Sequence, residues 1–171
     1  MPLCWWKHAS KAKDKMRYIT LCILLFISTA GWANTDSKAD INHVLDELHA
    51  QAAAANFDKY FAVYTSDAIF IGTDAEEVWS IHAFKAYAKP YFDQGKGWTY
   101  HPRNRHIYLS ENQQIAWFDE LLDNVNLGET RGTGVLVNEN GQWKVAQYHL
   151  AIPIPNALAD DIASQIKAHQ R

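Results

Sequence analysis

Two titratable side chains offer chemistry first: Glu120, in Ala116-Trp117-Phe118-Asp119-Glu120, and His149, in Gln147-Tyr148-His149. A carboxylate among apolar neighbours has its pKa raised, and an imidazole can hold or pass a proton near neutrality. Together they suit general acid/base work. The same groups equally suit an internal hydrogen-bond network that satisfies buried polar atoms, or simple contact with a ligand. Other chemistries lack their residues. The histidines beyond residue 33 are His43, His49, His82, His101, His106, His149 and His169, and none forms His-x-x-x-His with a helical glutamate. The only cysteines are Cys4 and Cys22, so no metal site is expected. Neither Gly-x-Gly-x-x-Gly nor Gly-x-Ser-x-Gly occurs, and no helix start follows Gly132-Thr133-Gly134, so nucleotide and serine-hydrolase readings fail. No cofactor is implied.

Glu120 and His149 can meet only if the elements carrying them align. Ser37-Lys38-Ala39-Asp40 reads as a helix start, and Ile41, Val44, Leu45, Leu48 and Ala52 then recur at helical spacing. Phe57, Tyr60, Phe61 and Tyr64 make the face of a second, short helix. Residues 68–72 form a short strand, and Ser80 caps a third helix that Pro90 bends or ends. Beyond residue 98 the pattern turns to strands over 98–109, 114–126, 130–138 and 142–154. Asn140-Gly141 joins the last two as a tight hairpin. A closing helix starts at Asn156. This order predicts an α+β domain, with helices on one face of an antiparallel meander.

Strand parity then sets which side chains share a face. With Asn140-Gly141 as a two-residue turn, Gly134 faces Gln147 and Gly132 faces His149. With the preceding turn centred on Leu127, Glu120 faces Gly134. One face carries Glu120, Gly132, Gly134, Trp143, Val145, Gln147 and His149. The other carries Trp117, Asp119, Asp123, Arg131, Thr133, Lys144 and Tyr148. Because side chains alternate with period two, a single bulge inverts everything beyond it.

The runs 116–120, Arg131-Gly132-Thr133-Gly134-Val135-Leu136, Gly141-Gln142-Trp143-Lys144-Val145 and Pro153-Ile154-Pro155-Asn156 resemble the SnoaL-like branch of the nuclear transport factor 2-like superfamily. The Gly-x-Trp-Lys-Val…His ending is also similar to the calcium/calmodulin-dependent kinase association domain. The resemblance implies a cone of curved antiparallel sheet wrapped over N-terminal helices, with a C-terminal helix. It further implies a pocket at the open end and a homodimer packed through the outer sheet face, here around Trp117, Arg131 and Tyr148. Family members include isomerases, cyclases, dehydratases and epoxide hydrolases, so the fold leaves the reaction open. None of their catalytic motifs matches this chain position by position.

Within that frame the glycine-bearing face is assigned to the cavity, since positions without side chains leave room for a ligand or a close helix. Glu120 and His149 become the proton-handling pair, and Gln147, Tyr60, Tyr64, Trp79 and His101 the expected ligand contacts. Asp74 and Glu77 share with Trp79 a loop at the expected mouth. His101, Arg103 and Arg105 alternate along one strand as cations on one face, and Asp123 opposite Arg131 reads as an outer ion pair. Three functions compete: a pocket for a small, partly apolar molecule; a cofactor-free acid/base enzyme of isomerase, dehydratase or cyclase type; and a dimerisation module whose cone is filled. A cavity of about 300 Å³ or more favours the first two.

The chain has 171 residues, 48% apolar and 20% charged, which suits one globular domain. Met16-Arg17-Tyr18 precedes an uncharged apolar run over 19–27, followed by small residues including Gly31 and Ala33. This order reads as a secretory signal peptide over 1–33, with a run too short to span a bilayer. Cleavage after Ala33 leaves a domain over 34–171 with 11 basic and 18 acidic residues and no cysteine. Thiol chemistry is excluded, and the basic footprint of a nucleic-acid binder is missing. The expected product is secreted or periplasmic, without a membrane span.

Overall fold

The computed structural model describes residues 36–170, so the signal-peptide expectation lies outside the described residues. Helix α1 (Ser37–Ala53) is capped by Asp36, one residue ahead of the expected Ser37, with its carboxylate accepting the Lys38 N–H. Its stripe of Ile41, Leu45, Leu48 and Ala52 is buried, as the spacing requires. Helix α2 (Phe57–Ala62) is capped by Asn56 and ends before Tyr64, which instead opens strand β1 (Tyr64–Ile71). Strand β2 (Val78–Ser80) occupies part of what reads in sequence as a loop, and three residues are too few to show a period. Ser80 accepts the Ala83 N–H and starts α3 (Ile81–Phe92), with Pro90 in its last turn.

Strands β3 (His101–Leu109), β4 (Ile115–Asn124), β5 (Gly128–Glu139) and β6 (Gln142–Ala151) follow, then a 3-10 turn over Asn156–Leu158 and helix α4 (Ala159–His169). The hairpin residues Asn140 and Gly141 have φ of 55° and 87°, the positive values a type I′ turn demands. The sheet order is β2-β1-β6-β5-β4-β3. It is mixed, because β1 runs parallel to β6 while every other pair is antiparallel. Ala116, Phe118, Leu122, Leu136 and Val145 on the inner face are buried together with the α1 stripe and with Phe61, Phe84 and Phe92.

Two bulges decide what the inner face presents. Strands β4 and β5 pair without interruption, and Glu120 lies opposite Gly132, one pair away from the expected Gly134 but with its inward parity kept. Between β5 and β6 the register shifts: Leu136 meets Val145, Val135 meets Gln147, and Ala146 is the extra residue. Beyond it the alternation inverts. Tyr148 and Leu150 turn inward and are buried, while Gln147 and His149 lie on the opposite side, paired with Val135 and Thr133. The expected inward placement of Gln147 and His149, and the outward placement of Tyr148, are thereby corrected. Gly134 supplies the reason, since a Cβ there would collide with the Gln147 carbonyl oxygen that bows toward it. The glycine accommodates the bulge rather than a ligand. A second shift lies between Arg103 and His106, where Asn104 has φ of 49°.

Candidate functional site

Glu120 is fully buried, and both of its oxygens are engaged. Oε1 lies 2.7 Å from His49 Nε2 and accepts the Tyr148 hydroxyl at 3.2 Å. Oε2 accepts Arg105 Nε at 2.7 Å. Arg105 Nη1 donates in turn to Asp46 Oδ1 at 2.7 Å and to the side-chain and backbone oxygens of Asn42 at 3.1 and 3.2 Å. Asn42, Asp46 and His49 stand at i, i+4 and i+7 of α1, so one helical stripe meets the sheet here. The bulge at Asn104 turns Arg105 inward to reach them. Arg103, on the other side of it, pairs outside with Asp123 (3.1 Å) and Glu129. That arrangement separates the expected cation row and gives Asp123 a different partner from Arg131. Gly132 is needed opposite Glu120, because a Cβ there would collide with the Tyr148 hydroxyl and lie 3.0 Å from Glu120 Oε1.

Burial alone would raise the Glu120 pKa, but the hydrogen bond and charge of His49, joined by Arg105, outweigh it and hold the carboxyl below its ordinary value. The raised pKa expected from sequence is corrected accordingly. Burial and the nearby carboxylate push the Tyr148 phenol well above its ordinary range. Glu120 is therefore an anion and Tyr148 a neutral donor. An anionic acceptor 2.7 Å from Nε2 requires a proton on that nitrogen. For His49 Nδ1 no hydrogen bond is formed among the described residues.

His49 and Tyr148 form the floor of a cavity of about 150 Å³, with Leu48, Ala52 and Leu150 beside them. Tyr60, Phe70, Phe84, Trp98 and Tyr100 wall it, and Gly72, Thr73, Glu77, Trp79, Tyr87 and Leu127 surround its mouth. The rings are ordered: Phe70 stacks on Phe84 at 3.8 Å and lies parallel to Tyr148 at 6.0 Å. The volume is half the threshold set from sequence. It is still enough for one benzene-sized ring.

The expected site residues are thus redistributed. Tyr60 and Trp79 line the cavity, and Glu120 sits directly behind its floor. Tyr64 lies behind Tyr60, bonded hydroxyl to hydroxyl at 3.1 Å. Gln147 and His149 do not reach the cavity, and exposed His101 stands opposite Asp123 outside it. The partner of Glu120 is His49, which the sequence reading missed. Its signal was its place in the helical stripe, four residues after Leu45, where a titratable side chain stands in an apolar row.

Comparison with known proteins bears on this geometry. A family profile described as SnoaL-like domain matches residues 41–155, more than half of the chain. No curated protein matches by sequence. Among solved structures, a nuclear transport factor 2-like protein of unknown function from Pseudomonas putida is similar, with a TM-score of 0.59 at 12% identity, covering 70% of this chain and 89% of that one. A candidate scytalone dehydratase from Novosphingobium aromaticivorans has a TM-score of 0.56 at 12% identity, covering 68% and 84%. A candidate calcium/calmodulin dependent protein kinase II association domain from Xanthomonas campestris has 0.51 at 20%, covering 68% and 87%. At these identities the likeness is one of fold. With the matched profile spanning α1 through the end of the sheet, the chain belongs to the SnoaL-like domain family, and its fold is like that of the nuclear transport factor 2-like protein.

Proposed function

We propose that this protein is an exported, homodimeric pocket domain that binds one small, partly apolar molecule of about single-ring size. The observation that carries the reading is the ring-walled cavity with His49 and Tyr148 among its lining residues, an apolar pocket holding a few placed polar groups. Export is supported by the order of basic, apolar and small residues over 16–33. The homodimer is supported by the outer sheet face, where Trp117 stacks on Tyr108 at 5.9 Å beside exposed Ile115 and Arg131. Tyr148, now inside, leaves that set. Native mass spectrometry of protein from its own host should reveal a small organic adduct. A chain free of adduct, whose NMR spectrum is unmoved by a panel of single-ring fragments, would leave the filled-cone scaffold as the reading.

A second reading is favoured by the 2.7 Å contact through which Glu120 holds His49 on the cavity lining. His49, in place of His149, would act as the proton-handling group of cofactor-free acid/base chemistry, and Glu120 as its positioning partner. His49→Gln in a folded protein should then cost about two to four orders of magnitude in turnover of a cognate substrate. Unchanged turnover would remove His49 from the chemistry.

A further inference from the structure

The cavity mouth combines one carboxylate with large ring faces. Glu77 is half-buried, and its side chain folds over Gly72, where any Cβ would collide with it. The backbone holds it there: the Gly72 N–H donates to the Glu77 carbonyl at 2.8 Å, and the Asp74 N–H donates to Glu77 Oε2 at 3.3 Å. Oε1 has no hydrogen-bond partner among the described residues. Beside it Trp79 packs on Tyr87 at 4.6 Å, and Tyr87 lies within 10° of parallel to Trp98 at 6.4 Å. All four residues line the cavity. Ring faces attract a cation placed within about 6 Å of their centroids, tryptophan most strongly.

No lysine or arginine lines this cavity. Lys85 and Lys89 of α3 lie over Phe61 and Phe57 instead, and the floor imidazole has its Nε2 on Glu120. From this asymmetry we infer that the ligand is a small organic cation, a quaternary or tertiary alkylammonium. Its head sits among Trp79, Tyr87 and Trp98 with Glu77 as counter-ion. A neutral ring would match the walls but would cover Glu77 without giving it a partner, which costs binding. The volume admits an ammonium head with a short chain. The inference rests on the pocket reading above and adds the charge of what enters.

The test titrates the protein with choline and with its neutral carbon isostere, 3,3-dimethylbutan-1-ol, following the indole NMR signals of Trp79 and Trp98. Choline should bind saturably and at least about tenfold more tightly, and Glu77→Gln should weaken choline about five- to thirtyfold while leaving the isostere unchanged. Equal or tighter binding of the isostere overturns the cation proposal and spares the pocket. Binding of neutral single-ring fragments without choline does the same. Failure of every probe, fragments included, overturns the pocket reading as well. The choline-to-isostere comparison needs no variant, so the outcome does not depend on how Glu77→Gln folds.

Discussion

Glu120 concentrates the stability of the site at one residue. A buried carboxylate that accepts from Arg105 and Tyr148 and pairs with His49 leaves all three without their partner when it is removed. Glu120→Ala should therefore cost about 3–5 kcal/mol in urea unfolding, the range for breaking a buried ion pair from one side. Tyr148→Phe, which loses a single hydrogen bond to the charged carboxylate, should cost about 1.5–3 kcal/mol. Equal losses for the two would contradict the network. The pH dependence has a definite sign. Because the folded pKa of Glu120 lies below its ordinary 4.5, its contribution is complete above that value and is lost as pH falls through the lower folded one. The Tyr148 contribution runs the other way: it is complete below 10.0 and is lost as pH rises toward its raised value. Urea midpoints measured on the acid side should fall less steeply in Glu120→Gln than in the parent protein.

At the scale of elements, two bulged strands assemble what the helices complete. The extra residue Ala146 brings Tyr148 to Glu120, and the shift at Asn104 brings Arg105. Gly134→Ala should strain the first bulge directly, since the new Cβ meets the Gln147 backbone as well as the buried Phe118 ring. We expect a loss of about 1–3 kcal/mol, with the Gln147 and Tyr148 amide resonances displaced most. A neutral substitution with unmoved resonances would show that the bulge does not depend on the glycine. The elements themselves were legible because their periods are local: the α1 stripe and the Asn140-Gly141 turn can each be read within a few residues. Residue Tyr64 was misplaced on a helix because it continues the spacing of Phe57, Tyr60 and Phe61, yet it pairs with Val145 of β6. That pairing is non-local.

For the whole molecule, the outer sheet face and the N-terminal segment carry the remaining predictions. Light scattering of the mature protein at micromolar concentration should give twice the mass of one chain, and Trp117→Glu should shift it toward the monomer by placing a charge in the proposed seam. A monomeric parent protein would end the dimer proposal. N-terminal sequencing of exported protein should begin near Asn34, and retention of residues 19–27 would refute cleavage there. Helix α4 has no fully buried residue, and Ile162 and Ala163 are half-buried.

The class, the order of the helices and of every strand but β2, the hairpin turn and the family resemblance can be read along the chain, since each depends on neighbouring residues. Glu120 was also placed on the inner face, because β4 and β5 pair without a break. His149 was not separable from Tyr148 by any such reading. Which of two adjacent residues points inward depends on how many residues lie between it and the turn, and one bulge changes that count by one. The count is settled across strands, where Gly134 leaves space for the Gln147 backbone and Gly132 leaves space for the Tyr148 hydroxyl. His49 could join them only once α1 lay against the sheet. Packing between segments 71 positions apart in sequence, and not any spacing within one of them, brought imidazole and carboxylate to 2.7 Å.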